Sequence, residues 1–338
     1  MLAYSNWAVL SVSFVVVLSL ALSGVALCSV LHLVNAKWRF EVRHLASSLA
    51  ALFPLAFVLL VVLLVGGEHT FPWWGSNHLG SEAHMPGWYQ PHWLIAREVI
   101  GILFMMALYW LFIKRQAVSE NSPEDKARFH HVATAIPFFF VLYSTMVAWD
   151  FEMTLVPHWH SAVYGLQQFI SNFGMFLSVM VVWLYALNQR HALKKPAPSY
   201  LYNYLAQMIF AFTLLWIYTF DAQYLTIWYG NIPDETDRVF AMQDGDYTFI
   251  WWSMLVLKFV VPFVAFCFPK PRHNIAAINA VAVCVIVGTL FERYVWIGGI
   301  TGKGAYPILA TIVIGGVVAA IGFFLVRMQM QRTQLIKE

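Results

Sequence analysis

Charged residues are scarce in this chain. Asp, Glu, Lys and Arg together make up 11% of its 338 residues, against about 25% in soluble domains. No polar stretch is long enough to enclose a core of its own, which excludes a soluble domain and leaves a membrane protein. Cysteine is rarer still. Cys28, Cys267 and Cys284 all fall in apolar runs and form no CxxC or other cluster. An iron–sulfur centre needs grouped thiolates, so none is expected within this chain, and the three read as small buried hydrophobes. Of the twelve histidines, only His32 lies clearly inside an apolar run. Facing His pairs for a membrane haem b are therefore missing. No resident cofactor, no metal and no nucleic acid partner is expected.

What the chain does have is hydrophobic length. Crossing a bilayer takes roughly 20 apolar residues per helix, and nine runs qualify: 7–34, 45–66, 92–113, 129–149, 158–187, 201–228, 247–268, 274–297 and 305–326. Backbone groups in lipid must be satisfied internally, so these are helices, and the fold class is an all-α polytopic membrane protein. The first run is too long for a signal-peptide core and has no basic residues before it, so it is expected to be retained. Alternate connections hold fifteen of the twenty Lys and Arg, while the opposite set holds only Arg238 and Lys303. Basic residues favour the cytoplasmic side. The N-terminus is therefore expected outside and the C-terminus inside. Among the outer connections, 67–91 is rich in Trp, His and Gly. The connection 229–246 carries Asp234, Glu235, Asp237, Asp244 and Asp246, and either segment could dock a partner or simply be solvated. No sequence repeat is evident.

A charge within the bilayer costs about 2.5–3.5 kcal/mol on insertion scales, so its placement is informative. Most such groups gather toward the expected outer side. His92, Arg97 and Glu98 open the third helix. Asp150 and Glu152 close the fourth. His158 and His160 open the fifth and are followed by Gln167 and Gln168. Asp221 and Gln223 lie in the sixth, and Glu292 and Arg293 near the end of the eighth. Each has a plain structural reading. Pro157 suits a first helical turn, the carboxylates can mark headgroup depth, and the arginines can snorkel. Jointly they point to one or two outer pockets. His158 and His160, two apart on a helix, would point about 200° from each other, which is poor for a shared metal. Lys258 differs in lying mid-span, roughly 16 Å from the inner end, too deep to snorkel. Pro262 should free the carbonyl of Lys258 and kink the helix. The lysine is either part of a proton or ion route or the partner of a buried polar group.

Quinol oxidation is a chemistry that suits such a pocket. Two electrons and two protons leave, and the protons need an acceptor whose pKa lies near ambient pH. Histidine has that pKa unperturbed, and a carboxylate reaches it by partial burial. Trp and Tyr are plentiful as walls. No haem, iron–sulfur or flavin motif is present, so the redox centre would belong to a partner docked outside.

Two stretches make this more specific: "AWDFEMTLVPHWHSAVYG" (148–165) and "WIYTFDAQYLTIWYGNIPDET" (216–236), with "GWYQPHWLIAR" (87–97) as a third. They resemble the NrfD-like (polysulfide reductase membrane subunit-like) family, closest to subunits of the ActF type in alternative complex III. The resemblance runs in the same order over most of the chain. It implies two four-helix bundles, 7–149 and 158–297, with a flanking helix at 305–328. The ActF type has ten spans with both ends inside, so nine spans here look like loss of the first. Asp150, Pro157, His158 and Trp159 match the first motif, Gln223 the second and Arg97 the third. Val156 stands where an acidic residue is expected and His160 where an aromatic is usual, while Glu152 and Asp221 look like additions.

The resemblance implies a quinol-interacting subunit of a quinol:cytochrome c oxidoreductase in the bacterial inner (cytoplasmic) membrane. Asp150 and His158 would be catalytic. Arg97, Glu98, Glu152, Trp159, His160, Asp221, Gln223 and Arg293 would bind quinol or transfer protons, and Lys258 would lie on a proton route. Implied partners are a second NrfD-like subunit, a periplasmic iron–sulfur protein carrying the clusters, and c-type cytochromes carrying haem c. Electron direction stays open, since related subunits also serve quinone-reducing complexes. Two other readings stay open. One is a scaffold and proton-conducting subunit, with quinol chemistry in its paralogue. The other is an independent transporter.

Overall fold

The computed structural model describes residues 4–74, 87–300, 307–333 and 335–336. Most of the aromatic-rich connection 67–91, together with Lys303 and Lys337, lies outside the described residues. Among the described residues nine helical spans are long and apolar enough to cross a membrane. They are span 1 (Asn6–Leu33), span 2 (Arg39–Val65), span 3 (Pro91–Val118), span 4 (Pro123–Leu155), span 5 (Tyr164–Gln189), span 6 (Ser199–Gly230), span 7 (Thr248–Cys267), span 8 (Ile275–Gly298) and span 9 (Ile308–Arg332). The chain is a multi-pass membrane protein whose spans are all helical among the described residues.

Local chemistry sets several of the ends. Pro91 and Pro123 occupy first turns, where a missing N–H costs nothing. The Ser122 hydroxyl accepts the Asp125 N–H at 3.1 Å, and the Asn274 side chain accepts from Ala276 and Ala277. Span 6 stops at Asn231, whose left-handed backbone (φ 47°) is one that asparagine tolerates.

Spans 1 to 4 are neighbours, with span 1 against spans 2 and 4, and span 3 against span 4. Spans 5 to 8 make a second group. There span 5 lies between spans 6 and 8, and span 7 closes against both. Span 1 also packs on spans 5 and 8, and span 4 on span 5, which joins the two groups. Within the most apolar stretch of each helix, 83% of span 1 is buried but only 6% of span 9. Span 1 is thus the axis of the molecule. Span 9 lies on its flank, against spans 1 and 2.

Three expectations need correction. Span 5 starts at Tyr164 and not at 158, so His158 and His160 do not open a helix; residues 156–163 form a non-helical turn. The reason is Trp159, which is buried beneath that turn against Tyr164 and Trp296, with ring centroids 5.5 and 5.4 Å away. A helix from 158 is given up for that burial. Second, the acidic connection 229–246 is not simply a loop. It holds an amphipathic helix, Pro233–Asp244, that buries Val239 and Met242. Third, Arg238 is no solvated loop residue: it is 2% exposed.

Candidate functional site

The side of the molecule carrying the turn 152–163 is called the hairpin side below. Helix 233–244 and the start of span 3 lie on it too, because Arg238 and Tyr89 both bond this turn. Two polar clusters lie beneath it, one in each four-span group. The turn feeds both. Asp150 and Glu152, two residues apart at the end of span 4, are sent in different directions.

Asp150 belongs to the first cluster. Arg97 of span 3 grips it with two parallel bonds of 2.6 Å, from Nε to Oδ2 and from Nη2 to Oδ1. The Trp88 indole donates to Oδ1 at 2.6 Å. Arg97 also donates to the Trp88 carbonyl at 3.1 Å and lies over the Trp88 ring, 4.1 Å from its centroid. A planar guanidinium suits both the carboxylate fork and the ring face. Both Asp150 oxygens are thereby engaged. Glu98, the next residue along span 3, is fully buried. The Tyr143 hydroxyl donates to its Oε2 at 3.3 Å, Asp150 is its charged neighbour, and its Oε1 has no hydrogen-bond partner. Gly101 lets this happen, since a Cβ there would sit 2.5 Å from the Tyr143 ring. Tyr89 lies just outside span 3 and donates to the Pro157 carbonyl at 3.2 Å. Burial pushes its hydroxyl up to about 12; nearby Arg238 opposes this and Asp150 adds to it.

Glu152 belongs to the second cluster. Arg293 of span 8 donates to both its oxygens, at 2.6 and 2.7 Å, and the Tyr164 hydroxyl donates at 2.6 Å. Arg293 also reaches Glu292 at 3.0 Å. Glu292 accepts from Lys258 and from Ser171, and from the Trp216 indole at 2.8 Å. The Ser171 hydroxyl in turn accepts from Lys258 Nζ at 2.5 Å and from Arg293 at 3.3 Å. Lys258 Nζ lies 4.4 Å from the centroid of the Trp216 ring. Two carboxylates and two bases, all under 5% exposed, thus form one continuous network across spans 5 to 8 and the hairpin turn.

Span 7 is shaped to deliver that lysine. Pro262 cannot bond the Lys258 carbonyl, and residues 256–260 relax into a π-helical turn in which the Val261 N–H reaches back to Val256. Single π turns are rare and recur at functional positions. Gly288 of span 8 faces this turn; a Cβ there would lie 3.1 Å from both the Cβ and the N of Lys258. The expected Pro262 kink therefore takes the form of a π turn, and the lysine is paired with a carboxylate.

Compared with known proteins, the chain matches no family model, and no curated protein sequence resembles it at a significant level.

Of the residues expected in one or two outer pockets, the structure gathers Arg97, Glu98 and Asp150 in the first cluster. Glu152, Lys258 and Arg293 meet in the second. Trp159 is buried at its rim, under the Arg238 guanidinium at 4.6 Å. His158 and His160 are exposed on the turn, whereas Asp150 is buried against Arg97 and Trp88. Asp221 stands exposed on span 6 and joins neither cluster. Gln223 lines a separate small cavity. Sequence reasoning missed Trp88, Tyr143, Tyr164, Ser171 and Trp216 as partners. It treated Arg238 as a loop charge, whereas the side chain donates to the carbonyls of Glu152, Met153 and Trp296. A lone arginine among acidic residues was its only signal. Among the described residues no group of three or more His, Cys, Asp or Glu could hold a metal ion.

Proposed function

We propose that the chain is a membrane subunit of a quinol:cytochrome c oxidoreductase of the alternative complex III type, and that its own task is to carry protons. In this reading the N-terminus and the hairpin side face outward and the basic connections face the cytoplasm of a bacterium. A second NrfD-like subunit, an iron–sulfur protein and c-type cytochromes complete the complex and carry the electrons. Motif resemblance supports the setting. The buried Lys258–Glu292 pair is the observation that carries the task.

The chemistry runs as follows. Arg293 keeps its charge under all ordinary conditions, and against the Glu152 carboxylate the two sum to zero. Lys258 and Glu292 also sum to zero, with the proton on nitrogen as an ion pair or on oxygen as a neutral pair. Ser171, which both accepts and donates there, and the Trp216 N–H hold the two groups in register while the proton changes place. A membrane helix does not retain mid-span charges for stability, since each costs about 2.5–3.5 kcal/mol on insertion. The test is Lys258→Met in the whole complex reconstituted into vesicles. Quinol turnover should persist in the uncoupled state while proton translocation is lost. Undiminished translocation would refute the assignment.

A second reading, that the chain itself interacts with quinol, is favoured by one observation. The Glu98 Oε1 is buried without a partner beside the Arg97–Asp150 fork. Such a carboxyl is fit to take a proton from a ring hydroxyl. Here Glu98→Gln should lower quinol turnover at least tenfold, about 1.4 kcal/mol at the barrier. Unchanged turnover would leave quinol chemistry to the paralogous subunit.

A further inference from the structure

Four helices contribute to the Lys258–Glu292 network, and each carries a further residue toward the hairpin side that lines one small cavity. Span 5 offers Gln167, one turn from Ser171. Span 6 offers Phe220 and Gln223, beyond Trp216. Span 7 offers Trp251, two turns from Lys258, and span 8 offers Trp296, one turn from Glu292. The cavity has a volume of about 10 Å³, room for about one water molecule. Its walls are aromatic but not apolar throughout. Gln167 and Trp296 are 1% and 2% exposed. The Gln167 Nε2, the Trp296 Nε1 and both amide atoms of Gln223 are buried and have no hydrogen-bond partner. Buried donors and acceptors left unpaired cost about 1–3 kcal/mol each. Three of these atoms, the Gln167 and Trp296 donors and the Gln223 carbonyl oxygen, are what one ordered water satisfies, since it makes about three bonds.

We infer that this cavity, bounded by Gln167, Gln223 and Trp296, is a water-binding site on the hairpin side of the Lys258–Glu292 pair. The water accepts from the Gln167 amide and the Trp296 indole and donates to the Gln223 carbonyl oxygen. The neighbouring aromatics extend the site in both directions. Trp216, which bonds Glu292, stacks on Phe220 with centroids 4.9 Å apart. Phe220 stacks in turn on Tyr224, and the Tyr224 hydroxyl donates to Gln243 of the surface helix at 2.8 Å. The residues lining the cavity therefore reach from Val239 of the surface helix to Trp296, one turn from the ion pair. This inference deepens the proton-carrying reading and rests on it for its purpose: it names the hairpin side as the side of proton access. The water site itself stands on the cavity and the three unpaired atoms.

Radiolytic hydroxyl labelling of the purified whole complex tests it, because bound water labels the side chains it touches even when they are buried. Trp251, Trp296 and Phe220 should be labelled in the native protein. The exposed residues Trp228 and Tyr229 serve as the positive control for dose. Labelling of the buried trio should fall in Q223M and in Q167M and persist in K258M. No labelling of the trio in the native protein, with Trp228 and Tyr229 labelled, overturns the water site without any variant having to fold. Labelling that survives in both glutamine variants also overturns it. Labelling lost as expected, with translocation intact in K258M, refutes the proton-carrying reading and leaves the water site standing.

Discussion

The second cluster makes a prediction that depends only on counting charge. As it stands, Glu152, Glu292, Lys258 and Arg293 sum to zero in a buried setting. Glu152→Leu leaves Arg293 and Lys258 against Glu292 alone, a net charge of plus one. It also strips the Tyr164 hydroxyl of its acceptor. Arg293→Met leaves two carboxylates against Lys258, a net charge of minus one. Breaking a buried pair from one side costs about 3–5 kcal/mol, so independent effects would sum to about 6–10 kcal/mol in the double variant. The double variant, however, keeps only Lys258 with Glu292 and is neutral again. It should therefore be more stable than that sum by about 3 kcal/mol, the upper end of measured couplings between contacting residues. Glu152→Gln separates charge from hydrogen bonding, because its amide oxygen still accepts from Tyr164. Reversible unfolding of the purified protein in mixed micelles, followed by tryptophan fluorescence, reads all four variants. Additivity of the two single changes to within about 0.5 kcal/mol would show that the charges are not a balanced unit.

Two further outcomes follow from the geometry. Gly288→Ala places a methyl 3.1 Å from the Lys258 backbone nitrogen. Overpacking of this kind costs about 1–3 kcal/mol, and the unfolding midpoint should drop accordingly; an unchanged midpoint would mean that spans 7 and 8 are not in close contact at the π turn. The Tyr89 hydroxyl, raised from 10.0 to about 12 by burial, holds its proton more tightly folded than unfolded. Its contribution is therefore complete below pH 10 and is lost as pH rises through about 12. A phenolate absorbance titration of native protein against Tyr89→Phe checks this, and a difference titrating near 10 would show that the residue is not buried.

The nine spans were legible in the sequence to within a few residues at most of their ends, because a helix in lipid must be long and apolar and its ends carry Pro, Ser and Asn. Depth was legible for the same reason: the charged groups were few and their distance from a span end could be counted. What could not be read was direction around the helix axis in the assembled protein. Asp150 and Glu152 look like one cluster on paper and serve two. His158 and His160 look like their companions, but burial of Trp159 turns the backbone and leaves both exposed. Lys258 and Glu292 are 34 residues apart, and nothing local joins them until span 7 is packed on span 8. The Pro262 signal predicted a break in regularity, yet a π turn and not a simple bend results, because Gly288 lets the neighbouring helix come close enough to hold it.

The two arginine–glutamate neighbours stand in opposite chain order. In span 3 the order is Arg97 then Glu98; in span 8 it is Glu292 then Arg293. Span 3 leaves the hairpin side and span 8 returns to it, so from that side both helices present arginine first and glutamate one step deeper. Each arginine takes one carboxylate from the end of span 4. Each glutamate is bonded by a residue of its own group of spans, Tyr143 in one and Lys258 in the other. The pair stands in the third span of one group and in the last span of the other, so the two groups of spans reach the same order of charge from opposite chain directions.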